Sequence, residues 1–199
     1  MAIPGLMWIR WLEATYSIRL NIIPHDFGLE RFLNDPDFIQ QCLVTNEPYY
    51  VRQAGAEIKL LPLRESGFDP YHGIYCLKAF ADENPDIVER FVKASIRGWK
   101  DYILNDPSPA LAMIASRNPK MNPEFMEYSY TLLKDMNLVT GEDPLGGKVG
   151  DLDNKRMTSL TEEMHRLGLV DAVSAEDPPE WYTRRFLVRP ADGPGDGLP

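Results

Sequence analysis

Asn46-Glu47-Pro48-Tyr49-Tyr50 gathers an amide, a carboxylate and two phenols within five consecutive residues. Hydrogen-bonding groups beside aromatic faces suit recognition of a small planar or cationic molecule better than they suit nucleophilic attack. The stretch follows an apolar run, Cys42-Leu43-Val44, and opens an amphipathic segment that closes at Gly55. A short apolar strand, a polar pair and then Pro at the first helical position describe a strand-to-helix corner. In open α/β sheets ligands sit at such corners, beyond the carboxyl ends of the strands. Asn46 or Glu47 would equally serve as a helix cap, satisfying the first N–H groups and complementing the dipole. The local sequence leaves both readings open.

Other arrangements that could carry chemistry fail on spacing. Gly146-Gly147-Lys148 lacks the GxxxxGK[ST] spacing and a preceding strand, so it is no phosphate cradle. Asp151, Asp153 and Glu162 match positions of a calcium loop, but Arg156 stands where the turn glycine is required and Lys155 at a ligand position. His25, His72 and His165 share no metal-like spacing. There is no GxSxG elbow, and Cys42 and Cys76 lie in separate apolar runs with no CxxC or Cys/His partner, which reads as two buried free thiols. The expectation is therefore no catalytic residue, no metal and no cofactor, with binding as the default role.

The elements that would position the corner fall into two halves. Residues 1 to 64 read as alternating short strands and helices. Ala2-Ile3 ends a strand before a Pro4-Gly5 turn, and Leu6 to Thr15 is helical. Arg19 to Ile23 is a strand stopping at Pro24-His25-Asp26, and Leu29 to Leu33 is a short helix. Cys42 to Thr45 and Glu57 to Leu63 are further strands. Such alternation is the pattern of βαβ units and a mainly parallel sheet. After Gly67-Phe68-Asp69-Pro70, one more short strand, Ile74 to Leu77, precedes a nearly all-helical region. Asn84-Pro85, Ser108-Pro109 and Asn122-Pro123 each pair a capping residue with Pro at a helix start. The first of these helices carries Trp99 on its apolar stripe, which reads as core. Gly141 to Gly150 reads as a Gly-rich loop, Lys155 to Leu167 as a last helix, and Pro190 to Pro199 as a disordered tail.

With 199 residues, 44% hydrophobic and 26% charged, the chain is long enough to bury a core and ordinary in composition. A formal net charge of −9 argues against a nucleic-acid partner, which would need a basic face. No segment reaches the length of a membrane-spanning helix. Arg10 and Glu13 interrupt the first apolar stretch and no small-residue cleavage site follows, so this stretch is not expected to act as a signal peptide, and either the chain is cytoplasmic as written or a leader has been left off. The expected compartment is the cytoplasm if the chain is complete.

Laid in order, Gln40-Gln41-Cys42-Leu43-Val44-Thr45-Asn46-Glu47-Pro48-Tyr49-Tyr50, Ala54-Gly55, Ser66-Gly67-Phe68-Asp69-Pro70-Tyr71, Asn84-Pro85-Asp86, the run from Phe91 to Tyr102 and Asn118-Pro119 resemble the substrate-binding proteins of ABC importers. The likeness is to the branch of thiamine-pyrimidine-precursor, nitrate and sulfonate binders, and runs from about Ile3 to Phe186. It implies an α/β, periplasmic-binding-protein-like (type II) fold whose two lobes close over a small molecule and pass it to an ABC permease in the periplasm. On this resemblance residues 1–64 form a complete small βαβ lobe, residues 65–189 are the helical C-terminal part of the other, and residues 190–199 are a tail. The first part of that other lobe, half of the cleft, would be missing. A half-built lobe would expose apolar sheet surface and favour a homo-oligomer.

The cleft-facing residues implied are Pro4, Gly5 and Leu6, the Asn46-Glu47 corner with Tyr49, and Phe68 and Tyr71 at the hinge return. Trp8 would stack on a ring from beside the first loop, or pack in the core with Trp11. Tyr71 would equally serve as a hinge packing residue. Glu47 and the phenols point to a heteroaromatic or amino-bearing ligand. Two other readings stand beside this one. One is a degenerate fragment serving as an interaction module. The other is a pyrimidine-forming enzyme of the eukaryotic thiamine branch, whose chemistry needs a Cys-rich motif that two separated cysteines do not supply.

Overall fold

The computed structural model describes residues 7–24, 26–142, 146, 148–170 and 182–187. Among these, regular structure consists of eight α-helices and one 3-10 turn. In order they are α1 (Met7–Tyr16), α2 (Glu30–Asn34), α3 (Glu47–Gln53), a 3-10 turn at Leu63–Ser66, α4 (Lys78–Glu83), α5 (Pro85–Leu104), α6 (Ser108–Arg117), α7 (Pro123–Asp135) and α8 (Asn154–Arg166).

The helix starts follow their local chemistry. At α7 the Asn122 side chain accepts a hydrogen bond from the Phe125 N–H at 2.7 Å, and at α8 Asp153 does the same for the Arg156 N–H at 2.8 Å. Asn84 precedes Pro85 but turns its amide the other way, donating to the Phe80 carbonyl at 3.2 Å and so closing α4 rather than capping α5. Before α6, the Asp106 carboxylate accepts from the Ser108 N–H at 3.0 Å. Hydrogen bonds from Ser108 hold its carboxyl below the usual carboxylate range.

The core lies where α7 meets α5 and α6. Ile103 of α5 is 2% exposed, Phe125, Met126 and Tyr130 of α7 are buried, and so are Val149 and Met157 further along the chain. The Tyr102 and Tyr130 rings meet edge to face at 5.3 Å. Gly150 turns the chain here with φ +82°, and a Cβ on it would come 2.5 Å from Ile96 Cγ1 on α5, so neither the backbone nor the space admits a side chain. At the other end, α1 lies on the 3-10 turn: the Trp11 indole N–H donates to Ser66 Oγ at 3.0 Å, and its ring faces Phe68 at 6.1 Å.

The α/β, periplasmic-binding-protein-like (type II) architecture expected from the sequence is not what the described residues form. They contain no strand and no sheet, so there is no complete βαβ lobe among them; a lone bridge position at Pro24 is the nearest approach. The expected strands at residues 19–23, 42–45, 57–63 and 74–77 run as extended or turning chain, the third ending in the 3-10 turn. Alternating apolar residues give a segment two faces, but a strand exists only through the ladder of N–H and C=O groups it shares with a neighbour. These segments have the faces without the ladder. In the last of them the apolar side chains are left in solvent, Tyr75 at 95% exposure and Ile74 and Leu77 with it. The homo-oligomer expected through an exposed sheet surface loses that surface among the described residues, which present no sheet.

Trp99 also departs from expectation. It is 46% exposed and edges onto Tyr102 at 6.1 Å, in an open apolar groove between α5 and α6 that the helix stripe does not fill. The Ala2-Ile3 strand, the Pro4-Gly5 turn, His25 and the tail from Pro190 lie outside the described residues.

Candidate functional site

The segment before α3 is tied to itself by side chains. Gln40 Nε2 donates to the Gly28 carbonyl at 3.1 Å, and the Arg31 guanidinium sits 4.8 Å over the Phe38 ring. A turn closes at Asn46, whose N–H donates to the Leu43 carbonyl at 2.9 Å. Neither side chain proposed as a cap bonds to the helix that follows. Asn46 makes no capping bond, and Glu47 reaches backward, its Oε2 accepting from the Leu43 N–H at 2.8 Å. The carboxylate fastens the preceding turn and remains in the first turn of α3, where the helix dipole favours it. Pro48 and Val51 are buried and seat the helix.

Behind this corner lies a recess of about 50 Å³. Leu29, Phe32, Pro48, Val51, Ile58 and Leu60 form its apolar walls, and Gln40, Cys42, Glu47 and Lys59 add polar atoms. That volume admits one edge of a small molecule, well short of the roughly 300 Å³ at which a pocket begins to enclose a ligand. The Gln40 amide is oriented by its bond to Gly28, which leaves Oε1 shielded from water and without a hydrogen-bond partner.

The phenols face the other way. Tyr49 packs against Tyr50, Phe125 and Tyr128 with ring centroids 5.2–5.4 Å apart, and its hydroxyl donates to Glu124 Oε2 at 3.5 Å. Desolvation in this cluster, followed by the Glu124 carboxylate, pushes the Tyr49 phenol above its ordinary value. The corner is further pinned by the Tyr128 hydroxyl on the Val44 carbonyl at 3.2 Å and by Ser129 Oγ on the Thr45 carbonyl at 2.7 Å. Glu47 and Tyr49 therefore serve opposite faces of α3.

The remaining candidates from the sequence are dispersed. Phe68 is buried against Trp11. Tyr71 lies under the Arg156 guanidinium at 3.7 Å, and its hydroxyl oxygen accepts from the Asp153 N–H at 3.2 Å. Trp8 is half-buried with an unpartnered indole N–H and does not line the recess. Pro4, Gly5 and Leu6 lie outside the described residues. Gln40 and Lys59 were not among the residues singled out from sequence. The available signal was the two-residue spacing of Gln40 and Cys42, which puts both on one side of extended chain.

The described residues hold no group of three or more His, Cys, Asp or Glu arranged for a metal ion. Both cysteines are free and reach solvent, so the expectation of buried thiols fails. The Cys42 sulfur is nevertheless partly shielded by the recess, and that shielding, followed by the Glu47 carboxylate, pushes its thiol up. A raised thiol pKa leaves less thiolate at any given pH. Modification of Cys42 by methyl methanethiosulfonate should therefore rise at higher pH than for a free thiol, and Glu47→Gln should move that profile downward. An unmoved profile in Glu47→Gln would show that Glu47 does not act on the sulfur.

Residues 29–110 match the family model described as NMT1/THI5 like. Every residue lining the recess falls inside that stretch. The chain is also similar to RibY, a riboflavin-binding protein of Chloroflexus aurantiacus, at 27% identity over 147 residues. That alignment takes in 71% of this chain and 40% of the relative, so the chain spans less than half the length of the protein it matches. No solved structure gives a significant match. The chain is thus similar to the NMT1/THI5-like family model over residues 29–110 and, over a longer stretch, to a binding protein.

Proposed function

We propose that this chain is a solute-binding unit of an ABC-type importer, working in the periplasm, that holds a small ring-bearing or amino-bearing molecule without transforming it and delivers it to a membrane permease. The observation that carries this reading is the recess at the Asn46–Tyr50 corner, where acceptor atoms meet apolar walls inside the family-matched stretch. Apolar walls with a few placed polar groups are the usual make-up of a small-molecule site. The likeness to a riboflavin-binding protein supports a ring-bearing solute.

Titration calorimetry of the chain with heteroaromatic amines, pyrimidines and small anions tests the binding. Saturable binding of one class is expected, weakened about tenfold by Glu47→Ala, the typical loss when a charged hydrogen-bond acceptor is removed. Absence of saturable binding across the panel overturns the role. Fractionation of cells carrying the natural gene tests the compartment, and recovery only with cytosolic markers would sink the importer reading.

A further inference from the structure

The geometry points to residues 182–187 as a strap, released by salt, that ties α4 to the start of α8. Two consecutive arginines of this stretch reach two acids that lie far apart in the chain. On one side Arg184 Nη2 meets Asp151 Oδ1 at 2.6 Å, and the Tyr182 hydroxyl donates to Asn154 Oδ1 at 2.8 Å. On the other, Arg185 Nη2 meets Asp82 Oδ1 at 2.7 Å, while Lys78 Nζ holds the second oxygen of the same carboxylate at 2.6 Å. Between its anchors the strap keeps a turn of its own. The Leu187 N–H donates to the Arg184 carbonyl at 3.0 Å, the Arg185 N–H donates to Thr183 Oγ1 at 3.2 Å, and the Arg185 guanidinium lies 4.6 Å from the Phe186 ring.

The nature of the two anchors decides what opens them. The four charged partners are 35–48% exposed, so mobile ions reach all of them. Open pairs of this kind hold weakly, and they weaken further as the screening length falls from about 10 Å at 0.1 M salt to about 3 Å at 1 M. Hydrogen bonds from Lys78 and then from Arg185 hold the Asp82 carboxyl below the usual carboxylate range, so mild acidification leaves it charged and ionic strength is the lever. The start of α8 has a second tie of another kind. There Arg156 holds the Asp69 and Pro70 carbonyls and stacks on Tyr71, contacts that need no partner charge. Salt therefore unfastens α4 from α8 at the strap while residues 69–71 stay attached.

Trypsin cuts after Arg184 and Arg185, and a protease samples such a site in proportion to the open population. Initial cleavage there is followed by mass spectrometry of the full chain, relative to a free peptide of sequence Tyr-Thr-Arg-Arg-Phe-Leu in the same tube, which corrects for the effect of salt on the enzyme. Relative cleavage should rise about fivefold between about 0.05 M and 1 M sodium chloride, as expected for losing weak exposed pairs. Cleavage after Arg97 and Lys100 of α5 should not change. Asp82→Asn combined with Asp151→Asn keeps the acceptor oxygens and the tryptic sites but removes both charges. That variant should be cut at the high-salt rate already in low salt and respond no further. A parental rate that ignores salt, or that matches the free peptide throughout, overturns the inference. Parental protection in the double variant, or α5 sites that open in parallel with the strap, overturns it as well.

Discussion

Phe125→Ala is expected to lower stability by about 3–4 kcal/mol, the range for truncating a buried aromatic side chain. Phe125 is 8% exposed on α7, stacks on Tyr50 at 5.2 Å and meets Tyr49 at 5.4 Å. Removing the ring leaves a cavity bounded by two phenols that would have to collapse around it or rotate out. In a chain of this size, that destabilisation lowers the thermal midpoint by roughly 10 °C. Phe125→Leu keeps most of the volume and should cost about 1 kcal/mol. The Ala variant should also loosen the Val44 and Thr45 carbonyls from α7, seen as faster amide exchange over residues 43–51. If chemical denaturation places Phe125→Ala within 1 kcal/mol of the parent, the ring cluster does not hold the corner.

The second large effect is expected at Arg156. Its Nε donates to the Asp69 carbonyl at 2.6 Å, Nη2 donates to the Pro70 carbonyl at 3.1 Å and to Asp69 Oδ1 at 3.0 Å, and the guanidinium lies over Tyr71. The ion pair itself contributes little. Asp69 is more than half exposed, and open pairs of this kind contribute about 0–1 kcal/mol. The two carbonyl bonds and the stacked ring outweigh it, because they hold otherwise unpaired backbone acceptors with a planar fork that lysine lacks. Arg156→Lys is therefore expected to behave almost like Arg156→Met, losing about 2 kcal/mol, while Asp69→Asn loses well under 1 kcal/mol. Limited proteolysis should begin cutting near residues 69–73 in both Arg156 variants. Rescue of parental resistance by lysine would show that charge, rather than the fork, does the holding.

Helix positions were legible in the sequence because their causes are local. Asn122 before Pro123 sets its own cap within three residues, and α6 does start at Ser108-Pro109, though Ser108 is its first residue rather than its cap. The strands were not legible, because a strand is defined by a partner that the segment does not name. Cys42 to Thr45 and Ile74 to Leu77 have β-forming composition, and nothing among the described residues pairs with them. Trp99 failed for a related reason. A helical stripe says which side is apolar, and only the neighbouring helices decide whether that side is covered.

The candidate corner was partly legible. Its residue types singled out Asn46-Glu47-Pro48-Tyr49-Tyr50, but not that Glu47 would turn back to Leu43 while Tyr49 joined α7. Gln40 could not be ranked from sequence, since its interest lies in one oxygen left without a donor by the geometry around Gly28.

The bonds from Tyr128 and Ser129 to the carbonyls of Val44 and Thr45, with Arg52 Nη1 donating to the Tyr128 hydroxyl at 3.0 Å, make α7 the scaffold on which the corner rests. A molecule held at that corner and the helix more than seventy residues further along the chain are consequently coupled partners. By thermodynamic reciprocity, whatever occupancy adds to the stability of α7, a firmer α7 returns as affinity. Tuning of recognition is thus open to substitutions on α7 that never touch the bound molecule, such as a change at Ser129 or Tyr128. The surface that selects a solute and the surface on which selection can act need not be the same.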